Sequence, residues 1–87
     1  MTEKIWRVEI HGRFYKKLAK LPRTERETIL TALANLPKDP FTMDFKPLRG
    51  RTDWRLRVGH WRILLRMDLG AKVLVAYEFG TRGDVYK

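Results

Sequence analysis

Trp54-Arg-Leu-Arg-Val-Gly-His-Trp-Arg-Ile-Leu-Leu-Arg-Met67 is the stretch on which the fold turns. Apolar and basic residues alternate on both sides of Gly59-His60, the pattern of two half-buried strands joined by a tight turn. With Gly59 and His60 as the only turn residues, Val58 opposes Trp61, Arg57 opposes Arg62, Leu56 opposes Ile63 and Arg55 opposes Leu64. Side chains on a strand alternate between faces, so Trp54, Leu56, Val58, Trp61, Ile63 and Leu65 share one face. That face supplies a core. Arg55, Arg57 and Arg62 share the other.

Working back towards the N-terminus, Lys4 to Ile10 alternates, with Trp6, Val8 and Ile10 on one side, and reads as a first strand. From Arg13, Phe14, Leu18 and Leu21 recur at helical spacing, which predicts a short amphipathic helix ending at Leu21-Pro22. His11 precedes it and reads as structural. A second helix carries Ile29, Leu30, Leu33 and Leu36 and stops at Pro37. Thr24 and Glu27 fit a capping box at its start, with Pro22 near the first turn as the other possibility.

Residues 37–53 contain Pro37, Pro40, Pro47 and Gly50, show no clear period and read as a loop pinned by Phe41, Phe45 and Leu48. Lys72 to Phe79 reads as a fourth strand, Gly80 to Gly83 as a turn, and Asp84 to Tyr86 as a short extended segment. The expected order is β-α-α-β-β-β. This is an α+β fold in which a helical hairpin packs on one face of a small, largely antiparallel sheet. Residues 1–87 form a single domain.

Composition narrows the function. The 87 residues are 44% hydrophobic, enough for a core, and contain neither cysteine nor serine, which removes disulfides, thiolate metal sites and Ser or Cys nucleophiles. No acid or histidine cluster has metal-ligand spacing, and no nucleotide-binding motif is present, so neither metal nor cofactor is expected. Nothing is long and apolar enough to span a membrane, the N-terminus does not look like a signal peptide, and a cytoplasmic location is the default expectation.

The formal net charge is +9, which favours a polyanionic partner. Residues 46–66 hold Lys46, Arg49, Arg51, Arg55, Arg57, Arg62 and Arg66 against Asp53, seven cations to one carboxylate. The other 66 residues carry only +3 of the total. Like charges directly opposite on a sheet are unfavourable: two guanidinium groups about 6 Å apart repel by roughly 0.7 kcal/mol even in water-like screening. Either Glu78, Asp68 or Asp53 neutralises the cluster, or the arginine forks grip phosphate oxygens. Arg82 and Tyr86 are placed to join such a site, the tyrosine by stacking on a base.

Leu48-Arg-Gly50, then Trp54 to Leu65, then Phe79-Gly-Thr-Arg-Gly-Asp-Val-Tyr86 resembles the RelE branch of the RelE/ParE toxin superfamily over essentially the whole chain. The resemblance implies the toxin of a type II toxin–antitoxin system, partnered by an acidic antitoxin. It also implies an endoribonuclease that enters the ribosomal A site and cuts the mRNA there without a metal. In that chemistry the 2′-hydroxyl attacks the adjacent phosphate, which leaves a cyclic phosphate and a 5′-hydroxyl. By position, Arg55 and Arg57 fall on the family's paired basic strand residues and Arg62 on its phosphate-stabilising arginine. Arg82 falls on the arginine that assists the leaving group, and Tyr86 on the aromatic that positions the nucleotide. Lys46, Arg49, Arg51 and Arg66 are expected to contact the nucleic acid around them.

The chain departs from the family in one respect. RelE itself has lysines where Arg55 and Arg57 stand, and a lysine there has been assigned the base role. Arginine is a very poor proton acceptor. The base then lies elsewhere, with His60 and Tyr86 as candidates, or catalysis is mainly electrostatic and positional; His60, placed in a turn, also reads simply as a solvated residue. Two rival functions stay open: a ParE-like inhibitor of DNA gyrase, and a non-catalytic nucleic-acid-binding module acting as co-repressor.

Overall fold

The computed structural model describes residues 7–38, 43–48, 53–68 and 70–81. The elements run β1 (Arg7–Ile10), α1 (Gly12–Leu18), α2 (Arg23–Asn35), β2 (Asp44–Pro47), β3 (Asp53–Val58), β4 (Trp61–Asp68) and β5 (Val73–Thr81). They build a five-stranded sheet in the order β1-β5-β4-β3-β2. The four strands β2 to β5 form an antiparallel meander, and β1 lies parallel to β5 at the far edge. A parallel pair needs a long crossover, and α1 and α2 provide it on the way from β1 to β2 at the opposite edge.

The β3–β4 register is the one the sequence requires: Val58 opposes Trp61, Arg57 opposes Arg62, Leu56 opposes Ile63 and Arg55 opposes Leu64. Gly59 has φ +60, a conformation that only glycine adopts without strain, and it sets the two-residue turn. Leu56, Ile63 and Leu65 on the inner face are fully buried against Phe14 and Leu18 of α1 and Ile29, Leu33 and Leu36 of the second helical segment. His11 caps α1, its Nδ1 accepting from the Arg13 N–H at 3.1 Å, as its structural reading implied.

Four local expectations change. First, α1 ends at Leu18, and the chain tightens to three-residue spacing as Lys20 and Leu21 donate to the carbonyls of Lys17 and Leu18. Second, the capping box does not form. Pro22 is the N-cap and Arg26 N–H donates to its carbonyl, so Thr24 already lies inside the helix and Glu27 pairs with Arg23 at 3.1 Å. Third, the loop contains β2, an added edge strand on which Pro47 needs no donor of its own. Trp6 and Phe41 lie outside the described residues.

Fourth, β5 runs on through Gly80 and Thr81, which pair with Arg62 and Trp61 and so are strand rather than turn. A bulge opposite Leu64 and Leu65 makes this possible. Ala76 faces the core at 0% exposure and Phe79 at 1%, three residues apart, which simple alternation forbids. The extra residue shifts the phase and turns both inward.

Candidate anion-binding cleft

The outer face of the sheet inherits its charge from the same alternation. On β2, β3 and β4, among the described residues, Lys46, Arg55, Arg57, Arg62 and Arg66 share it with Asp44, Asp53 and Asp68, five cations against three carboxylates. Arg57 and Arg62 stand directly opposite each other. They line a cleft of about 530 Å³ together with Gly59, His60 and Thr81. Two guanidinium forks in one concave site, on strands fixed by a ladder, are suited to an oxyanion with several oxygens.

The carboxylates divide the arginines into two kinds. Asp44 lies 3.2 Å from Nη2 of Arg55 and 3.5 Å from Nε of Arg57. The Arg55 side chain is only 10% exposed while Asp44 stays partly open to solvent, so the guanidinium side of the pair is withdrawn from water, and Arg55 Nη1 has no hydrogen-bond partner. Arg55 was expected in the reacting site beside Arg57 and Arg62, but it does not line the cleft. Arg57, half-exposed, meets the same carboxylate through Nε. Arg66 pairs with Asp53 at 3.4 Å and lies over the Tyr77 ring at 4.7 Å. Burial pushes the Tyr77 phenol above its ordinary range, Asp53 adds to the shift, and Arg66 opposes it. Lys46 is exposed on β2, opposite Arg55. Arg49, Arg51, Arg82 and Tyr86 lie outside the described residues.

Asp44 was not among the candidate neutralising acids, and it is the one that holds Arg55. Removing its charge leaves a mostly buried guanidinium without a counter-ion, which costs on the order of 1–3 kcal/mol at a partly exposed pair. Asp44→Asn should therefore lower the unfolding free energy extrapolated from a urea titration by that amount, moving the midpoint down with it. Adding Arg55→Met should restore most of it, because the orphaned charge goes as well. A midpoint that does not move in Asp44→Asn would show that the pair carries no stability.

Glu25, in the first turn of α2, reaches the other side of the hairpin. Its Oε1 accepts the Trp61 indole N–H at 2.7 Å and lies 4.0 Å from His60 Nε2. The His60 and Trp61 rings are 4.8 Å apart. The Trp61 ring in turn meets Phe79 edge-on at 5.5 Å, so the cleft wall is tied to the core. Among the described residues no group of three acid or histidine side chains is gathered as a metal site.

No family model matches the chain, and no curated protein does. Solved structures do. The archaeal RelE–RelB complex from Pyrococcus horikoshii OT3 superposes with a TM-score of 0.76 at 25% identity, covering 94% of this chain and 100% of that one. The toxin–antitoxin complex RelBE2 from Mycobacterium tuberculosis gives 0.76 at 23% identity, covering 91% and 100%. A mutant of E. coli toxin RelE in the free state gives 0.74 at 18% identity, covering 92% and 86%.

Proposed function

We propose that this chain, which has the fold of the RelE-like superfamily, is the toxin of a toxin–antitoxin pair that blocks translation by cutting mRNA in the ribosomal A site. The observation that carries the reading is Arg57 facing Arg62 in one cleft at the end of a rigid hairpin. Cleavage by the 2′-hydroxyl passes through a phosphorane whose extra charge falls on its equatorial oxygens. Fixed guanidinium donors stabilise that charge more than they stabilise the ground state. No metal is needed for such a step.

Arg82 follows Thr81, the last described residue of the cleft wall, and its assigned part is to assist the departing 5′-oxygen. Tyr86 positions the nucleotide by stacking. Lys46, Arg49, Arg51 and Arg66 hold the flanking backbone and the ribosomal RNA. Arg55 contributes through Asp44, which it shares with Arg57, and not by touching the phosphate. Two of the related structures are complexes of RelE with RelB and of RelBE2, which supports an antitoxin as partner; the basic face of this chain is suited to an acidic one that neutralises it by charge. No described helix is long and apolar enough to cross a membrane, and the site of action in this reading is the cytoplasm.

The test is to add the purified chain to cell-free translation and map mRNA 5′ ends. New ends within A-site codons, dependent on ribosomes and insensitive to chelators, are expected. Intact mRNA with lost gyrase supercoiling would overturn this reading and favour a ParE-like one.

A further inference from the structure

The proposed reaction leaves one part unassigned, the acceptor for the 2′-hydroxyl proton. Two described residues of the cleft, Arg57 and Arg62, are guanidinium donors that keep their protons, while Gly59 has no side chain and Thr81 offers a hydroxyl that is not a base near neutral pH. The remaining lining residue among those described is His60, the side-chain type that exchanges a proton in that range.

A histidine in a two-residue turn would ordinarily swing freely. This one is braced on two sides. Its ring lies against Trp61, and its Nε2 faces Glu25 Oε1 at 4.0 Å. That carboxylate is itself held, because the same oxygen takes the Trp61 indole N–H at 2.7 Å. A carboxylate facing one ring nitrogen of an imidazole favours the tautomer with the proton on that nitrogen, leaves the other as acceptor, and stabilises the cation that forms.

Resting on the function proposed above, we infer that His60 is the proton acceptor of the cleft and that Glu25 is its positioning residue. Nδ1 takes the proton from the 2′-hydroxyl as the 2′-oxygen bonds to phosphorus. The bond from phosphorus to the 5′-oxygen breaks, that oxygen takes a proton from water, and the imidazolium returns its proton to solvent. At 4.0 Å the two atoms stand in ion-pair range rather than hydrogen-bonded, and catalytic contacts of this kind tighten as the transition state forms. The arrangement also explains how a chain with arginine at both strand positions keeps a base. The base sits in the turn between those strands, anchored from the helix layer.

The test is single-turnover cleavage on programmed ribosomes with saturating toxin, each variant first checked for a native melting transition. His60→Ala should lose roughly 10²–10⁴-fold in rate, the usual size of a general-base contribution, and added imidazole should restore part of the loss. Glu25→Gln keeps an oxygen acceptor for the Trp61 indole and so keeps the brace. It should slow the step at least roughly tenfold with ribosome affinity unchanged, and Glu25→Asp should recover part of that. A folded His60→Ala that cleaves at the wild-type rate would overturn the inference while leaving the ribonuclease reading in place. A loss that imidazole does not rescue, or a Glu25→Gln defect confined to ribosome affinity, would reduce the pair to structure. Wild-type protein that leaves the mRNA intact removes both readings.

Discussion

Arg62→Ala should lower the single-turnover rate of mRNA cleavage by roughly 10²–10³-fold, the range measured when one preorganised oxyanion donor is removed. The size follows from where the residue stands. Arg62 projects from β4 into the cleft directly opposite Arg57, and the like charges held face to face repel, a repulsion that Asp44 beside Arg57 lessens and an anion between the two relieves further. An added phosphorane charge relieves that repulsion, so the pair is worth more in the transition state than in the free protein. The same reasoning says that the substitution should not unfold the domain: it removes a like-charge contact of order 0.7 kcal/mol along with the donor.

Arg57→Ala should also slow cleavage, by less than the loss of an unpaired guanidinium would, because Asp44 already draws on the Arg57 charge at 3.5 Å. Arg62→Lys should recover charge without the planar fork, and with it only a part of the rate. Full cleavage by a folded Arg62→Ala protein would remove the site assignment.

What could be read from the sequence, and what could not, divides along the range of the interactions. The β3–β4 hairpin was legible because a strand's period is two and its turn begins with glycine; those rules fix which residues oppose which over residues 54–65. The helices were legible by their apolar spacing, and only their ends moved, since Pro22 rather than Thr24 turned out to start α2. Asp44 was not legible. It meets Arg55 through a four-residue edge strand too short to show a period, in a segment punctuated by proline. Glu25 was not legible either, because its partner Trp61 is 36 residues away on another layer of the fold. The sequence counts charges well. It does not say which arginine is buried, and burial rather than possession of a carboxylate separates Arg55 from Arg57 and Arg62, since Asp44 pairs with both Arg55 and Arg57.

The second large effect is on stability, at Phe79. Its ring is 1% exposed and packs on Phe14 at 4.7 Å and on Trp61 at 5.5 Å. Lys17 Nζ lies over it at 4.8 Å and donates to its carbonyl at 2.6 Å. The ring therefore joins α1, β4 and β5 at one point, and it reaches that point only because the bulge in β5 turns it inward. Truncating such a phenylalanine to alanine costs about 3–5 kcal/mol, through lost transfer energy and the cavity left behind. A domain of this size has in total about 4–13 kcal/mol, so Phe79→Ala should bring the thermal midpoint down by well over ten degrees or leave the chain largely unfolded. Phe79→Leu retains most of the volume and should cost less than half as much. The consequence reaches the cleft, because Phe79 backs the Trp61 ring whose indole holds Glu25. A Phe79→Leu protein should thus melt as a folded domain yet cleave more slowly than its modest loss of stability accounts for. Cleavage at the wild-type rate in that variant would show that the Trp61–Glu25 contact does not depend on the core behind it.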